Sequence, residues 1–193
     1  MARPIEYDPD VALDRAMELF WSQGYAGTSV QDLVRDTGLN RHSLYSNFRS
    51  KFGLLQAVLS RYEERALGRI RGILSSNGSV RERLEAMLCP PEPAEPINGA
   101  AFWYEVTTRG CLALRLSAEL REDHDEIVQQ ITAFGEAIEN LVAETCREGQ
   151  ANGEISRDRT PEDMASVLVG GFLLPLVYKP AARRREAFLT VLD

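Results

Sequence analysis

The chain has 193 residues, 44% of them hydrophobic and 26% charged. It is too long for a disulfide-stapled miniprotein, too apolar for a disordered tail, and long enough to bury one or two cores. The net charge of −7 argues against a uniformly basic nucleic-acid binder, but that charge is unevenly spread: residues 1 to 83 hold 12 Arg and Lys against 10 Asp and Glu, and residues 84 to 193 hold 10 against 19. This asymmetry suits a basic-faced binding module fused to an acidic body.

The cysteines, Cys89, Cys111 and Cys146, are odd in number and widely spaced, with no CxxC pair, so neither a disulfide framework nor a zinc site is expected. The longest strongly apolar stretch, Val167 to Tyr178, is about 12 residues, short of the roughly 20 that span a bilayer. No basic and apolar leader opens the sequence, and a soluble, cytoplasmic protein without cofactor or metal is expected.

Helix punctuation recurs from end to end, and no alternating β-branched run interrupts it, so the predicted fold is all-α with about nine helices. Asp8, Pro9 and Asp10 place a cap before a proline at the first helical position, and Leu13, Met17 and Phe20 carry the apolar stripe of a first helix toward Gly24. Thr28, Ser29, Val30 and Gln31 fit a capping box that opens a short second helix through Asp36. Gly38 supplies the turn, and Asn40 caps a third helix, Arg41 to Asn47. Ser50 caps a long fourth helix from Lys51 toward Leu74, with Phe52, Leu55, Val58, Leu59 and Tyr62 on one stripe. Gly53 stands where a capping box would want Glu, which predicts a weak start.

Ser79 opens a helix over 80–88, and four prolines between 90 and 96 forbid regular structure across 89–98. Phe102 to Leu120 reads as helix with a break at Gly110. A long helix follows the acidic run at 122–126, carries Ile127, Ile131, Phe134, Ile138, Leu141, Val142 and Thr145 on one face, and ends between Gly149 and Gly153. Thr160, Pro161, Glu162 and Asp163 form a complete start signal for a helix that is apolar nearly all round. Pro175 should kink or end that helix, and a last helix begins at Pro180.

Two short helices joined by a tight glycine turn behind a longer supporting helix make a helix-turn-helix, whose second member enters a DNA major groove. From Ala16 to Leu55 the chain reads AMELFWSQGYAGTSVQDLVRDTGLNRHSLYSNFRSKFGLL. This stretch closely resembles the DNA-binding domain of TetR-type bacterial transcriptional regulators, through LF then GY, TSV, the G-L-N-x-x-S-L-Y-x-x-F run and SK. RGCL at 109–112 and GEI near 153 followed by PEDMA resemble the ligand-binding half of a subgroup that includes electrophile-responsive repressors.

The resemblance implies a DNA-binding domain over residues 1–50 and a helical effector-binding and dimerisation domain over 51–193. It places Gln31, Arg41, His42 and Ser43 where base edges are read, and Thr28, Tyr45, Asn47 and Lys51 where phosphates and sugars are clamped. The chemistry agrees: Arg suits guanine, Gln suits adenine, and hydroxyl, amide and ammonium groups suit the backbone. His42 departs from the small residue or Pro common at its position.

The expected partners are a palindromic double-stranded operator, a small-molecule effector of hydrophobic or aromatic character, and a second copy of the chain. Phe102, Trp103, Cys111, Phe134 and Phe172 are candidate effector-site residues. Val167, Gly170, Gly171 and Leu174 are candidate dimer contacts, because that helix is too apolar for a monomer's surface and glycine lets a partner helix approach.

Cys111 also carries a second reading as a thiol sensor, with Arg109 and Arg115 able to lower its pKa. A third reading is a helical carrier of small hydrophobic molecules. Glu119, Glu122, His124, Asp125 and Glu126 lie in one run, which reads as a solvated helix terminus rather than a metal site. With two histidines and no G-x-S-x-G, HExxH or Gly-rich phosphate loop, the chain is not expected to be an enzyme.

Overall fold

The computed structural model describes residues 8–88, 106, 109–120, 124–173 and 192. Among them are eight α-helices and no strand: α1 (Pro9–Gln23), α2 (Val30–Thr37), α3 (Arg41–Phe48), α4 (Lys51–Leu74), α5 (Val80–Leu88), α6 (Leu112–Leu120), α7 (Asp125–Asn152) and α8 (Pro161–Leu173). The fold is all-α, as the punctuation predicts. Contacts group the chain into two units, 1–64 with 112–129 and 65–111 with 130–193. This division does not fall at residue 50, because α4 and α7 each contribute to both units and α6 belongs with the N-terminal helices.

In the first unit, Asp8 caps α1 by accepting from the amides of Asp10 and Val11 at 2.9 and 3.4 Å, and Pro9 occupies the first helical position. The capping box of α2 is shifted by one residue from the sequence reading. Ser29 is the cap and Asp32 its partner, each accepting from the other's backbone amide. Thr28 is fully buried instead, and its hydroxyl donates to the Gly24 carbonyl at 2.6 Å.

Gly38, at φ 78°, ends α2 in the left-handed region, and the Asn40 side chain caps α3 by accepting from the Ser43 amide at 2.8 Å. The core joins Phe20 and Trp21 of α1 and Leu33 of α2 to Leu44 of α3 and to Leu54, Leu55, Val58, Leu59 and Tyr62 of α4. From α6, Leu112, Leu116 and Leu120 complete it. The predicted α4 stripe is thus buried, except that Phe52 is only half-buried.

Gly53 is not the weak link its sequence position suggests. A Cβ there would lie 1.9 Å from the Phe48 carbonyl oxygen, so glycine is what lets the end of α3 pass the start of α4. Ser50 still caps, its hydroxyl accepting from the Gly53 amide at 3.0 Å.

In the second unit α5 packs on α8. A capping box that the sequence reading overlooked opens α5, with Ser79 and Glu82 exchanging hydrogen bonds. Arg83 is buried and donates to the Leu74 carbonyl at the end of α4 at 2.6 Å and to Glu148 of α7. Gly149 lies inside α7 rather than at its end, and Gly153 at φ 75° terminates the helix. A Cβ on Gly149 would stand 2.8 Å from Val80 Cγ1 and 3.1 Å from Ile155 Cγ1, so the glycine is a close-approach point. Thr160 and Pro161 open α8 as predicted, the hydroxyl accepting from the Asp163 amide at 3.1 Å. Gly110 takes φ 89°, which is the predicted break ahead of α6. The proline-rich 89–98 stretch, Pro175 and the helix expected from Pro180 lie outside the described residues.

Two glycines in helix interiors should respond in opposite senses to alanine. Gly149→Ala should lower stability by about 1–3 kcal/mol through overpacking. Gly68→Ala, where a Cβ meets nothing within 4 Å, should raise it by about 0.5–1 kcal/mol. Thermal unfolding followed by circular dichroism reads both signs.

Candidate nucleic-acid interface

α3 is short and two-faced. Leu44 is fully buried and Phe48 is half-buried, whereas Arg41, His42, Tyr45 and Asn47 are exposed, Tyr45 to 49%. Ser43 is half-buried, and its carbonyl accepts from the Asn47 side-chain amide at 2.8 Å. Gln31 stands exposed on the first turn of α2. A buried hydrophobic face thus leaves the polar N-terminal residues of the second short helix outward, which is how a recognition helix meets base edges. Thr28 departs from its expected place in this set: its buried hydroxyl holds the turn between α1 and α2 and does not face outward.

Lys51 is not a bare surface ammonium. It is half-buried at the first position of α4, with Nζ 4.1 Å from the centroid of the Tyr25 ring. Burial lowers its pKa, and the negative charge of Glu119 opposes that shift. The Tyr25 ring also meets Phe20 at 6.2 Å, Phe52 edge-on at 6.3 Å and His124 edge-on at 6.2 Å. His124 stacks on Phe52 at 4.0 Å.

The run at 119–126 therefore does more than solvate a helix end. Glu119 of α6 accepts from the backbone amides of Tyr25 and Ala26 at 2.9 and 2.5 Å. Four residues earlier, Arg115 donates to the carbonyls of Trp21 and Ser22 at 2.7 and 3.4 Å. That guanidinium, expected as a neighbour able to activate Cys111, is committed to the end of α1. Asp125 and Glu126 remain exposed in the first turn of α7, where acids suit the helix dipole. Tyr25, Arg115 and Glu119 were not singled out for this face by sequence reasoning. Their only local signal is the Gly24-Tyr25 pair, because the contacts that define them join residues more than 90 positions apart.

The other candidates fall in the second unit. Phe134 and Phe172 are buried and Cys111 is half-buried, while Phe102 and Trp103 lie outside the described residues. Cys146 is fully buried, and burial pushes its thiol up to about 11, which leaves it protonated at neutral pH. On α8, Val167 is 43% exposed and a Cβ on Gly170 would meet nothing within 4 Å; Gly171 is half-buried, and Leu174 lies outside the described residues. Among the described residues no group of three or more His, Cys, Asp or Glu is placed to hold a metal ion. No described helix is long and apolar enough to cross a membrane.

A helix-turn-helix with an outward polar recognition face, set on a helical body, defines a DNA-binding transcriptional regulator. Residues 12–58 match the family described as bacterial regulatory proteins, tetR family, and residues 99–187 match the tetracyclin repressor-like C-terminal domain. The chain belongs to the TetR family. It is 33% identical over 154 residues to the HTH-type transcriptional repressor ComR of Escherichia coli, covering 79% of this chain and 70% of ComR. It is 26% identical over 182 residues to the repressor DhaR of a Mycobacterium species, covering 93% and 87%. Among solved structures it is similar to a cysteine mutant of the TetR family regulator CifR complexed with 26-bp double-strand operator DNA, with a TM-score of 0.75, 26% identity and 99% and 98% of the two chains covered.

The Ser29–Asp32 box sets the entry angle of α2, and hydrogen bonds from Ser29 hold the Asp32 carboxyl below its ordinary pKa of 3.8. A depressed carboxyl stabilises the fold above its unfolded pKa and ceases to do so as pH falls through the folded value. Asp32→Asn should therefore lower the unfolding midpoint at pH 5–7, and its gap to wild type should close below about pH 3.8. Thermal melts of the two proteins across pH test this.

Proposed function

We propose that the chain acts as a homodimeric repressor that binds a palindromic operator and is released by a small hydrophobic or aromatic effector. The exposed N-terminal face of α3 carries this reading, supported by its likeness to a relative complexed with operator DNA. Arg41, with Gln31, His42 and Ser43, reads base edges, and Tyr45, Asn47 and Lys51 clamp the backbone. At Thr28 the contribution is the backbone and the positive end of α2, since its hydroxyl is committed to Gly24.

One such module reads few base pairs, so two copies related by a two-fold axis are needed for selectivity. Val167, Gly170 and Gly171 of α8, with Leu174 at the next helical spacing in the sequence, serve as the dimer face. The open space above Gly170 supports this, because a partner backbone can approach there. Phe102, Trp103, Cys111, Phe134 and Phe172 line the effector site in the body. In this assignment the first 50 residues are the reading head and residues 51–193 the effector and dimer body, with 112–129 bracing the head. The effector lowers operator affinity only by as much as it prefers the DNA-incompetent conformation.

Selection from a random duplex pool should yield a palindrome bound more weakly as salt rises, and absence of binding even at low salt sinks the reading. Arg41→Ala should cost about 1–3 kcal/mol on that palindrome and relax preference at one position of each half-site. Lys51→Gln should weaken all sequences alike.

Val167→Glu should shift the chain to monomer in sedimentation while leaving its helical content intact. A variant that stayed dimeric would move the interface elsewhere.

A further inference from the structure

Lys51 occupies a position that helix electrostatics disfavour. It is the first residue of α4, where the macrodipole presents positive charge, and it is half-buried there. Lysine also carries large rotamer entropy, so an ammonium meant for a phosphate is more effective if already aimed. Around Lys51 the structure supplies both an attractive counterpart and a rigid seat. The Tyr25 ring lies under Nζ at 4.1 Å, and a cation over a phenol face is attracted by the ring quadrupole. That ring is held by Phe20, Phe52 and His124.

Its backbone is held as well. Glu119 accepts from the Tyr25 and Ala26 amides, and the Tyr25 carbonyl accepts from the Thr28 amide at 3.3 Å. Gly24, at φ 75°, lets the carboxylate in, since a Cβ there would lie 2.7 Å from Glu119 Oε2.

We propose that Tyr25 is a positioning residue for operator binding: its ring face holds the Lys51 ammonium at the N-terminus of α4, and Glu119 of α6 fixes Tyr25 through two backbone amides. The inference rests on the reading that Lys51 meets an operator phosphate. It adds a link from α6 to that contact which does not involve the recognition helix.

The test is a double-mutant cycle on the full chain, with a duplex carrying the selected palindrome and affinity measured across salt. Lys51→Gln should flatten the dependence of log affinity on log salt by about 0.9 per protomer, the loss of one phosphate contact. Tyr25→Leu should weaken binding about 3- to 30-fold, the span of a partly desolvated cation–π contact. Tyr25→Phe, which keeps the ring face, should stay within about twofold of wild type.

In a Lys51→Gln background Tyr25→Leu should cost little more, because the group it positions is gone. A Tyr25→Leu loss of equal size in both backgrounds overturns the inference while leaving the Lys51 assignment intact. An unchanged salt slope in Lys51→Gln overturns the assignment itself. Should Tyr25→Leu fail to fold, wild-type chain alone decides: the Lys51 ε-methylene proton resonances should be shifted upfield by the ring current, and random-coil values refute the placement.

Discussion

The reading head depends on one short stretch of backbone, the turn from Gly24 to Thr28 that joins α1 to α2. A turn on a protein surface has amides and carbonyls with no helical partner, and each must find one or be solvated. Here two amides, of Tyr25 and Ala26, go to the Glu119 carboxylate, and the Gly24 carbonyl goes to the buried Thr28 hydroxyl. Charge-assisted bonds to a carboxylate are stronger than neutral ones, so the turn is anchored by a helix that lies far away in sequence. The angle between α1 and α2, and through Gly38 the entry into α3, follows from that anchor.

The same device appears twice. α1 has no basic residue in its last turn, and Arg115 of α6 supplies one from outside, donating to the Trp21 and Ser22 carbonyls. At the end of α4, Arg83 of α5 donates to the Leu74 carbonyl and pairs with Glu148 of α7. A guanidinium at a helix C-terminus satisfies orphan carbonyls and complements the dipole. These contacts matter more than the exposed pairs: the Arg35–Asp36 and Arg147–Glu162 bridges are largely solvated, and screening leaves such pairs little net contribution.

What was legible in the sequence was local. Asp8 with Pro9, Asn40, and Thr160 with Pro161 act within three or four residues of themselves, and the structure has each at the expected helix start. The α4 stripe and the break at Gly110 are set by periodicity and backbone freedom, which are also local. The capping box of α2 slipped by one residue because Thr28, Ser29, Gln31 and Asp32 offer two overlapping hydroxyl–acceptor pairings. Burial of Thr28 against Gly24, which is tertiary, chooses between them. Gly53 and Gly149 looked like defects or terminators because their reason, a backbone oxygen in one case and Val80 in the other, comes from another element. In the sequence Glu119 reads as part of a solvated run, because a carboxylate in an acidic stretch looks alike whether it meets water or an amide 93 residues away.

The charge of −7 takes on a different sense once the fold is in view. Residues 36 to 51 carry Arg41, Arg49 and Lys51 against Asp36 alone, so positive charge concentrates on α3 and the start of α4. Asp36 itself is bonded to Arg35, which reduces its reach as a free negative charge. The acidic excess sits in residues 84–193. A net acidic charge disfavours loose association with a polyanion, while a local positive field favours association where it lies. Because screening limits these fields to about 10 Å at moderate salt, carboxylates farther off than that weigh little on Lys51. Glu119 is the exception: it lies close enough to oppose the effect of burial on Lys51, so the residue that anchors the turn also tunes the cation above it.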